Sequence, residues 1–276
     1  MELCKNIKEF LGYYFDKSGN YDFTNLDFKE QEKWSELVSY CEKEAPKNPD
    51  LYALLSNMHL FGKGVDKNHS FALSYVQDGI QKKSKFCIGL LGYIFSTGLI
   101  TARDHEKSFH YYLMAAEAGV AHCMYMVGRL YALGLGVAQD YTQTKYWYEQ
   151  AIKVNNKNAL YNLANAYYNA TYVERSYPTA FEYYRRAVQY GHIDATCNLG
   201  LLYYHGLGVD RNVKKGLEYL KLAADNDNAP ALYKLGTLYY NGENVKKDED
   251  LGLDMLYKAA ELGSQGAEKF LDKIGY

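Results

Sequence analysis

The sequence has no excess of charge of either sign. Its 276 residues include 31 Lys and Arg against 33 Asp and Glu, which gives a formal net charge of −2. A chain balanced in this way has no overall field to attract nucleic acid or an anionic membrane surface. We therefore expect neither nucleic acid nor membrane among its partners.

Long hydrophobic runs are missing as well. The longest, residues 86–95, is too short to span a bilayer as a helix. The charges of Glu2, Lys5 and Lys8 interrupt the N-terminal stretch, which therefore lacks the apolar core of a signal peptide. Both features predict a cytoplasmic protein, and secretion by a route that needs no signal stays open.

Cysteine is scarce and shows no disulfide pattern. The chain has five cysteines, an odd number without spaced pairs, which fits a reducing compartment. Cys87 and Cys123 stand 36 residues apart, at a position that holds alanine in later copies of the same pattern. We interpret both as small core residues.

Patterns that support catalysis or metal binding are also absent. Two Gly-Leu-Gly segments, residues 134–136 and 206–208, lack the Lys-Ser/Thr and the preceding strand of a phosphate-binding loop. His105 and His110 are too far apart to share one helical face, and no Cys or Asp completes a metal site around them. The sequence therefore predicts no enzymatic activity, no metal and no cofactor.

What the sequence does contain is one pattern repeated six times with a period of 36 residues. A Leu-Gly pair or a close variant marks each copy: Leu55-Ser56, Leu91-Gly92, Val127-Gly128, Leu163-Ala164, Leu199-Gly200 and Leu235-Gly236. A fixed period of about 20 to 50 residues is typical of a solenoid, in which each unit buries its apolar face against its neighbours. This architecture favours binding over catalysis.

Each repeat is predicted to hold two helices. In the fifth repeat, apolar residues recur at helical spacing over residues 195–204, and two glycines within residues 205–209 break the helix. A second helix is expected after Asn212. Its starting position carries a short oxygen that can cap the free N–H groups of the first turn in all six repeats: Asn68, Asp104, Asp140, Ser176, Asn212 and Asp248.

The end of the second helix follows a similar rule. In four repeats it is occupied by residue types that readily adopt a left-handed backbone conformation: Gly119, Asn155, Gly191 and Gly263. Lys83 and Asp227 stand at this position in the other two repeats.

Small residues and large rings recur at fixed places. The small residue of the Leu-Gly pair lets the two helices approach closely. Three residues later a ring returns in one series: His59, Phe95, Tyr131, Tyr167, Tyr203 and Tyr239. A second series lies on the second helix: Tyr75, Tyr111, Trp147, Tyr183 and Tyr219. We interpret most of the 30 tyrosines as packing between helices and repeats.

This pattern resembles the Sel1-like repeat family, a relative of the tetratricopeptide repeats. The resemblance rests on Ala-x-x-x-Leu-Gly-x-Leu-Tyr-Tyr-x-Gly-x-Gly-Val at residues 195–209 and on Tyr-Tyr-x-x-Ala-Ala-x-x-Gly at residues 111–119. It implies an all-α fold, a right-handed α-α superhelix or solenoid of six helix-turn-helix repeats: 49–84, 85–120, 121–156, 157–192, 193–228 and 229–264. It also implies an adaptor role in protein complexes, without catalytic residues.

Residues outside the repeats, 1–48 and 265–276, are expected to form helical caps. Apolar residues at helical spacing predict one helix over residues 34–41 and a final helix over residues 267–274. A further helix could form over residues 3–11, and residues 20–27 remain an alternative docking arm.

The fourth repeat departs most from the pattern. Ala170 and Tyr172 replace both loop glycines, and Pro178 lies near the start of the second helix, where proline is tolerated. We expect a remodelled loop within an intact repeat.

The partner-binding residues are expected on the first helices, which line the concave surface of tetratricopeptide-like stacks. If the small residue faces the second helix, positions about one, four and five residues later, and some one turn earlier, face the groove. These positions are Tyr93, Tyr125, Arg129, Tyr161, Asn165, Tyr168, Asn169, Tyr204, His205, Tyr233, Tyr240 and Asn241. Amides can bond a peptide backbone as donor and acceptor, and tyrosines offer rigid contact area. A neutral solvated face stays open as the alternative.

Three functions remain open from the sequence. The first is a scaffold or adaptor that binds a protein or peptide segment in the groove. The second is a toxin-neutralising (immunity) or effector-type binder of one globular protein. The third is a regulatory subunit that docks on an enzyme through its convex face. The partner and the oligomeric state are not predicted.

Overall fold

The computed structural model describes residues 31–275, with side chains from Trp34 onward. The predicted helix over residues 3–11 and the possible docking arm at 20–27 lie outside the described residues. Within them the all-α prediction is confirmed, since the chain forms helices and no strands there. None of these helices has the length and apolar character needed to cross a membrane.

The described helices follow one another in pairs joined by short turns. In chain order they are α1 (Gln31–Glu44), α2 (Leu51–Phe61), α3 (His69–Gln81), α4 (Lys85–Thr97), α5 (His105–Glu117), α6 (Ala121–Leu133), α7 (Tyr141–Lys153), α8 (Lys157–Asn169), α9 (Tyr177–Gln189), α10 (Ile193–His205), α11 (Val213–Ala224), α12 (Ala229–Asn241), α13 (Glu249–Glu261) and α14 (Gln265–Ile274). We call α2, α4, α6, α8, α10 and α12 the first helices, and their partners α3, α5, α7, α9, α11 and α13 the second helices.

The chain forms two compact units, which divide between Asn156 and Lys157. The amino-terminal unit holds α1 to α7, and the carboxy-terminal unit holds α8 to α14. Within each unit, a first helix packs against the second helix of its own repeat, and that second helix packs against the next first helix. Each repeat therefore buries its apolar faces against its neighbours, as a solenoid requires.

Helices form at both ends of the described chain, over the residues where the sequence predicted them. In α1, Trp34, Leu37 and Cys41 are buried against the amino-terminal core. In α14, Ala267 and Leu271 are buried in the carboxy-terminal core, and the charged residues of that helix face outward.

Side-chain caps start the second helix in all six repeats. The Asn68 side chain accepts from the Phe71 N–H at 3.0 Å, and Asp140 accepts from two N–H groups, those of Thr142 and Gln143. The other four predicted residues accept from the N–H three positions later. Each such cap stabilises a helix by about 1 kcal/mol, which explains why a side chain with a short oxygen recurs at this position.

A left-handed residue closes the second helix in all six repeats. The backbone angle φ is positive at the four predicted positions, Gly119, Asn155, Gly191 and Gly263, and also at the two exceptions, Lys83 and Asp227. Lys83 adopts this conformation although it costs an ordinary residue about 1 to 2 kcal/mol. The repeat therefore imposes the turn even where the residue type does not favour it.

The small residue of the Leu-Gly pair makes room for its neighbour, as predicted. A Cβ added at Gly128 would lie 2.6 Å from the ring of Tyr148. In the fifth repeat, a Cβ at Gly200 would lie 3.0 Å from the carbonyl oxygen of Gly216. At the small residue, the first helix of a pair thus contacts either a ring or the backbone of its second helix.

The two predicted ring series stack on one another within the repeats. The ring centroids of Phe95 and Tyr111 lie 5.7 Å apart with planes at 6°. Further stacked pairs are His59 with Tyr75, Tyr167 with Tyr183, and Tyr203 with Tyr219. Such pairs contribute about 0.5 to 1.5 kcal/mol beyond the area they bury, which explains part of the tyrosine content.

The cysteines of the described chain are core residues, as predicted for Cys87 and Cys123. All four are buried and unpaired. Burial raises the pKa of Cys41, Cys87 and Cys197 to about 12, and it raises the pKa of Cys123 as well. Their thiols therefore stay protonated at neutral pH.

The loop of the fourth repeat keeps one feature of the pattern and loses another. Ala170 takes the left-handed conformation of the glycine it replaces, with φ at 58°, whereas Tyr172 does not. Ile100 in the second repeat lacks it too, so this departure is shared by two repeats and was expected for only one. Pro178 lies in the first turn of α9, as predicted.

Candidate partner-binding surface

Helix geometry separates two sets of positions around the small residue of each first helix. At about 100° per residue, offsets of +1, +5 and −2 lie about 100°, 140° and 160° from it, whereas +4 and −3 lie only about 40° and 60° away. The first set faces away from the second helix, and we call it the stripe. The second set lies on the flank, towards the neighbouring repeat.

The stripe of the carboxy-terminal unit is rich in amides and poor in charge. It consists of Asn162, Asn165 and Asn169 on α8, Asn198, Leu201 and His205 on α10, and Lys234, Thr237 and Asn241 on α12. All nine side chains are half-buried or exposed. Four of the predicted residues, Asn165, Asn169, His205 and Asn241, are therefore in this stripe.

Two of these amides form a pair across successive repeats. The Asn165 Oδ1 atom accepts one hydrogen bond from the hydroxyl of the buried Tyr184 and another from the Asn198 Nδ2 atom at 3.4 Å. The pair is thereby held in one orientation. In the described part of the chain, no hydrogen bond engages the Asn198 Oδ1 atom, which stays available as an acceptor.

Tyr161 supports this amide pair from the flank. Its ring stacks on that of His192 with centroids 4.3 Å apart, and burial raises the pKa of its hydroxyl. Hydrogen bonding by the amides of Asn165 and Asn198 offsets part of that rise, so all three polar groups are close together. Tyr161 is half-buried.

Tyr204 requires a correction. It was expected to face a partner, but only 3% of its surface is exposed. Its hydroxyl donates to Glu243 Oε1 at 2.9 Å and accepts from Asn244 Nδ2 at 2.7 Å. The reason is its offset of about +4, which turns the ring towards the sixth repeat. Tyr204 therefore joins repeats and is not an open contact surface.

Three other predicted tyrosines also pack on the flank. Tyr168 meets Tyr177 edge to face at 5.3 Å, and Tyr240 meets Phe270 in the same way at 5.6 Å. Tyr233 lies against Gly266, where an added Cβ would stand 3.2 Å from its ring. All three are half-buried, so they offer less contact area than the sequence suggested.

In the amino-terminal unit the predicted residues have a different setting. Arg129 is exposed, Tyr93 is half-buried beside Phe61, and Tyr125 stacks on Tyr148 at 5.9 Å. The stripe here has mostly apolar members, including Met126 and Leu133. The amide-rich surface is thus a property of the carboxy-terminal unit.

A model of the Sel1 repeat matches residues 49–77, 89–120, 121–156, 157–192, 193–228 and 229–264. The chain belongs to the Sel1 repeat family. Sel1 repeat proteins generally mediate protein–protein interactions. The paired helices described above are thus Sel1 repeats.

Several solved structures share this fold. A Sel1 repeat protein from Oxalobacter formigenes is 25% identical with a TM-score of 0.78, over 93% of this chain and 99% of that one. The protective antigen c5321 of uropathogenic Escherichia coli, 22% identical, has a TM-score of 0.70 over 98% of this chain and 58% of its own. The immunity protein PA5088 from Pseudomonas aeruginosa, 24% identical, has a TM-score of 0.50 over 66% and 68%. The last two likenesses show the fold alone.

A sequence relative covers a smaller part of this Sel1 protein. The uncharacterized protein NMB1327 of Neisseria meningitidis serogroup B is 38% identical over 85 residues. The match covers 30% of this chain and 18% of that relative's length.

The sequence prediction missed several residues of the stripe. Asn162, Asn198 and Lys234 lie at offset −2, outside the predicted positions, although each stands two helical turns before a predicted residue. Tyr184 gave no signal of its own, because the equivalent position of the other repeats also holds a tyrosine or an aliphatic residue. Within residues 34–275 no cluster of three or more His, Cys, Asp or Glu could hold a metal ion.

Proposed function

We propose that this protein is a scaffold or adaptor that binds an extended segment of a protein partner along the stripe of its carboxy-terminal unit. The observation that carries the proposal is the Asn165–Asn198 pair, held in place by Tyr184. A peptide backbone offers one N–H donor and one C=O acceptor per residue, and amide side chains can match both. Groups that are already oriented lose little entropy on binding, which favours affinity.

The repeat spacing also supports an extended ligand. Packed helices lie about 8 to 10 Å apart, and an extended chain advances about 3.3 Å per residue. A bound segment would therefore pass from one repeat to the next every three residues or so. In the amino-terminal unit, Arg129 with Tyr93 and Tyr125 is proposed as a separate contact surface.

The two other functions expected from the sequence have no observation in their favour here. The likeness to the immunity protein is one of fold and supports no toxin-neutralising role for this chain. Docking through the second helices, which the sequence left open, is tested by the experiment below as one of its outcomes.

The experiment is affinity capture from a lysate of the source cells with three forms of the full chain. The stripe variant carries Asn169→Ala and Asn241→Ala, and the control variant carries Glu218→Ala and Glu261→Ala on second helices. All four side chains are exposed, so unchanged helicity and melting are expected. We expect a partner that wild type and the control capture and the stripe variant loses at least about tenfold.

Two other results would favour a different function. A partner retained by the stripe variant and lost by the control would contradict the proposal and favour docking through the second helices. A single folded protein that binds at equal stoichiometry, with no extended segment able to compete, would instead support the globular-partner alternative.

A further inference from the structure

The charges of the first helices are almost all of one sign. The six first helices contain a single acidic residue, Asp194, although the chain has 33. The Asp194 carboxylate already accepts a hydrogen bond from Asn228 at 2.8 Å. The same helices carry four cations: Lys85, Arg129, Lys157 and Lys234. Of these four, Lys234 lies on the stripe of the carboxy-terminal unit, and that stripe, which has no Asp or Glu, suits an acidic ligand better than a basic one.

Three cationic or titratable groups converge on Tyr204 in the carboxy-terminal unit. The Lys234 Nζ atom lies 4.9 Å from the centre of its ring, and the His205 ring meets it edge to face at 4.9 Å. The Arg211 Nε atom donates to its carbonyl oxygen at 3.1 Å. We call Lys234, His205 and Arg211 the Tyr204 cluster.

The cluster lacks a carboxylate partner of its own. Between Trp34 and Gly275, neither Lys234 nor Arg211 forms an ion pair, whereas Lys258 and Lys247 of the same unit pair with acids at 2.5 Å. Glu243 is the nearby acid, and its Oε1 atom accepts the Tyr204 hydroxyl. The pKa of His205 is lowered by burial and then by Lys234 and Arg211, with Glu243 opposing, which indicates a net positive field.

We infer that the partner segment is acidic and that an Asp or Glu carboxylate binds at the Tyr204 cluster, between Lys234, His205 and Arg211. This inference rests on the proposed function, since it identifies the segment that the stripe would hold. Asn198 on α10 and Lys234 on α12 have the same offset in successive repeats, about 8 to 10 Å apart, which an extended chain covers in about three residues. The acidic residue is therefore expected about three positions from the peptide group held by Asn165 and Asn198.

A phage-displayed library of random 12-residue peptides, selected on the full-length wild-type protein, tests this inference. We expect the enriched peptides to share an Asp or Glu. Replacing that residue by Gln or Asn in the peptide, or Lys234→Gln in the protein, should weaken binding about tenfold. Because both changes remove the same contact, the two together should cost little more than either alone.

Lys221→Gln is the matched control, because the Lys221 Nζ atom also lies over a tyrosine ring, at 5.9 Å from the centre of Tyr239, but on a second helix. It should bind like wild type. Peptides that are neutral, or that bind Lys234→Gln as tightly as wild type while losing affinity for the Asn169→Ala/Asn241→Ala variant, would overturn the acidic inference and leave the proposed function standing. Peptides that bind the stripe variant undiminished would overturn the proposed function itself.

Discussion

At the scale of single residues, His192 combines a structural role with a titratable ring. It starts α10, and its Nδ1 atom accepts from the Ala195 N–H at 3.3 Å, which only the unprotonated nitrogen can do. Burial lowers its pKa, Asp194 opposes that shift and Lys157 adds to it. The cap therefore depends on a neutral imidazole.

This dependence predicts a loss of stability in mild acid. Since the folded pKa lies below that of the unfolded chain, the unfolded state binds more protons as the pH falls through the ordinary histidine range near 6.5. The contribution of His192 is thus present above that range and lost below it. Between about pH 7.5 and pH 5.5, wild type should lose about 1 kcal/mol more than His192→Asn in urea unfolding.

Asparagine is a suitable replacement because Asn228 caps α12 at the equivalent position, where its Oδ1 accepts from the Ala231 N–H at 3.0 Å. An Asn cap does not titrate in this range. If both proteins lost stability equally as the pH fell, the cap at α10 would not depend on the charge of His192.

At the scale of elements, the turns between helices contribute through their contacts as well as their backbone angles. Gly119 and Gly136 both have positive φ, at 88° and 71°. Nothing lies within 4 Å of a Cβ added at Gly119, whereas a Cβ at Gly136 would overlap the carbonyl of His105 at the start of α5. The turn of the third repeat thus packs directly on the second helix of the repeat before it.

The two glycines therefore form a matched pair for mutation. Gly119→Ala should cost about 1 kcal/mol in free energy of unfolding, from the left-handed backbone alone. Gly136→Ala should cost about 2 to 4 kcal/mol, because the backbone of α5 or of the turn must also move. Urea unfolding followed by circular dichroism measures both, and equal losses would show that the contact with His105 has no energetic role.

Much of each element could be predicted from the sequence because its cause is local. The caps of the second helices depend on one side chain and the N–H groups of the next turn, so Asn68 or Asp248 could be recognised from position alone. The fate of Tyr204 could not, because it depends on Glu243 and Asn244 in the next repeat. Tyr204, at offset +4, and His205, at offset +5, point in different directions around α10. This difference turns Tyr204 towards the next repeat and leaves His205 in the stripe.

At the scale of the whole molecule, the period predicted the six repeats and the helix pairs, which the structure and the family match confirm. The period does not distinguish repeats that bind from repeats that only pack. That distinction comes from residues that differ between repeats at equivalent positions. Asn198 and Lys234, for example, stand where other repeats carry Leu90 or Met126. The amides and the cationic cluster concentrate in the carboxy-terminal unit, which is where we propose the partner binds.

The central claim is that Asn165 and Asn198 act as one unit on a partner backbone. The most direct measurement is calorimetric titration of the captured partner's binding segment into wild type, Asn165→Ala, Asn198→Ala and the double variant, each shown to be folded. We predict that either single change weakens binding about tenfold and that the double change adds little, because each alone already disrupts the pair. Wild-type affinity in both single variants, or losses that simply add, would contradict the claim.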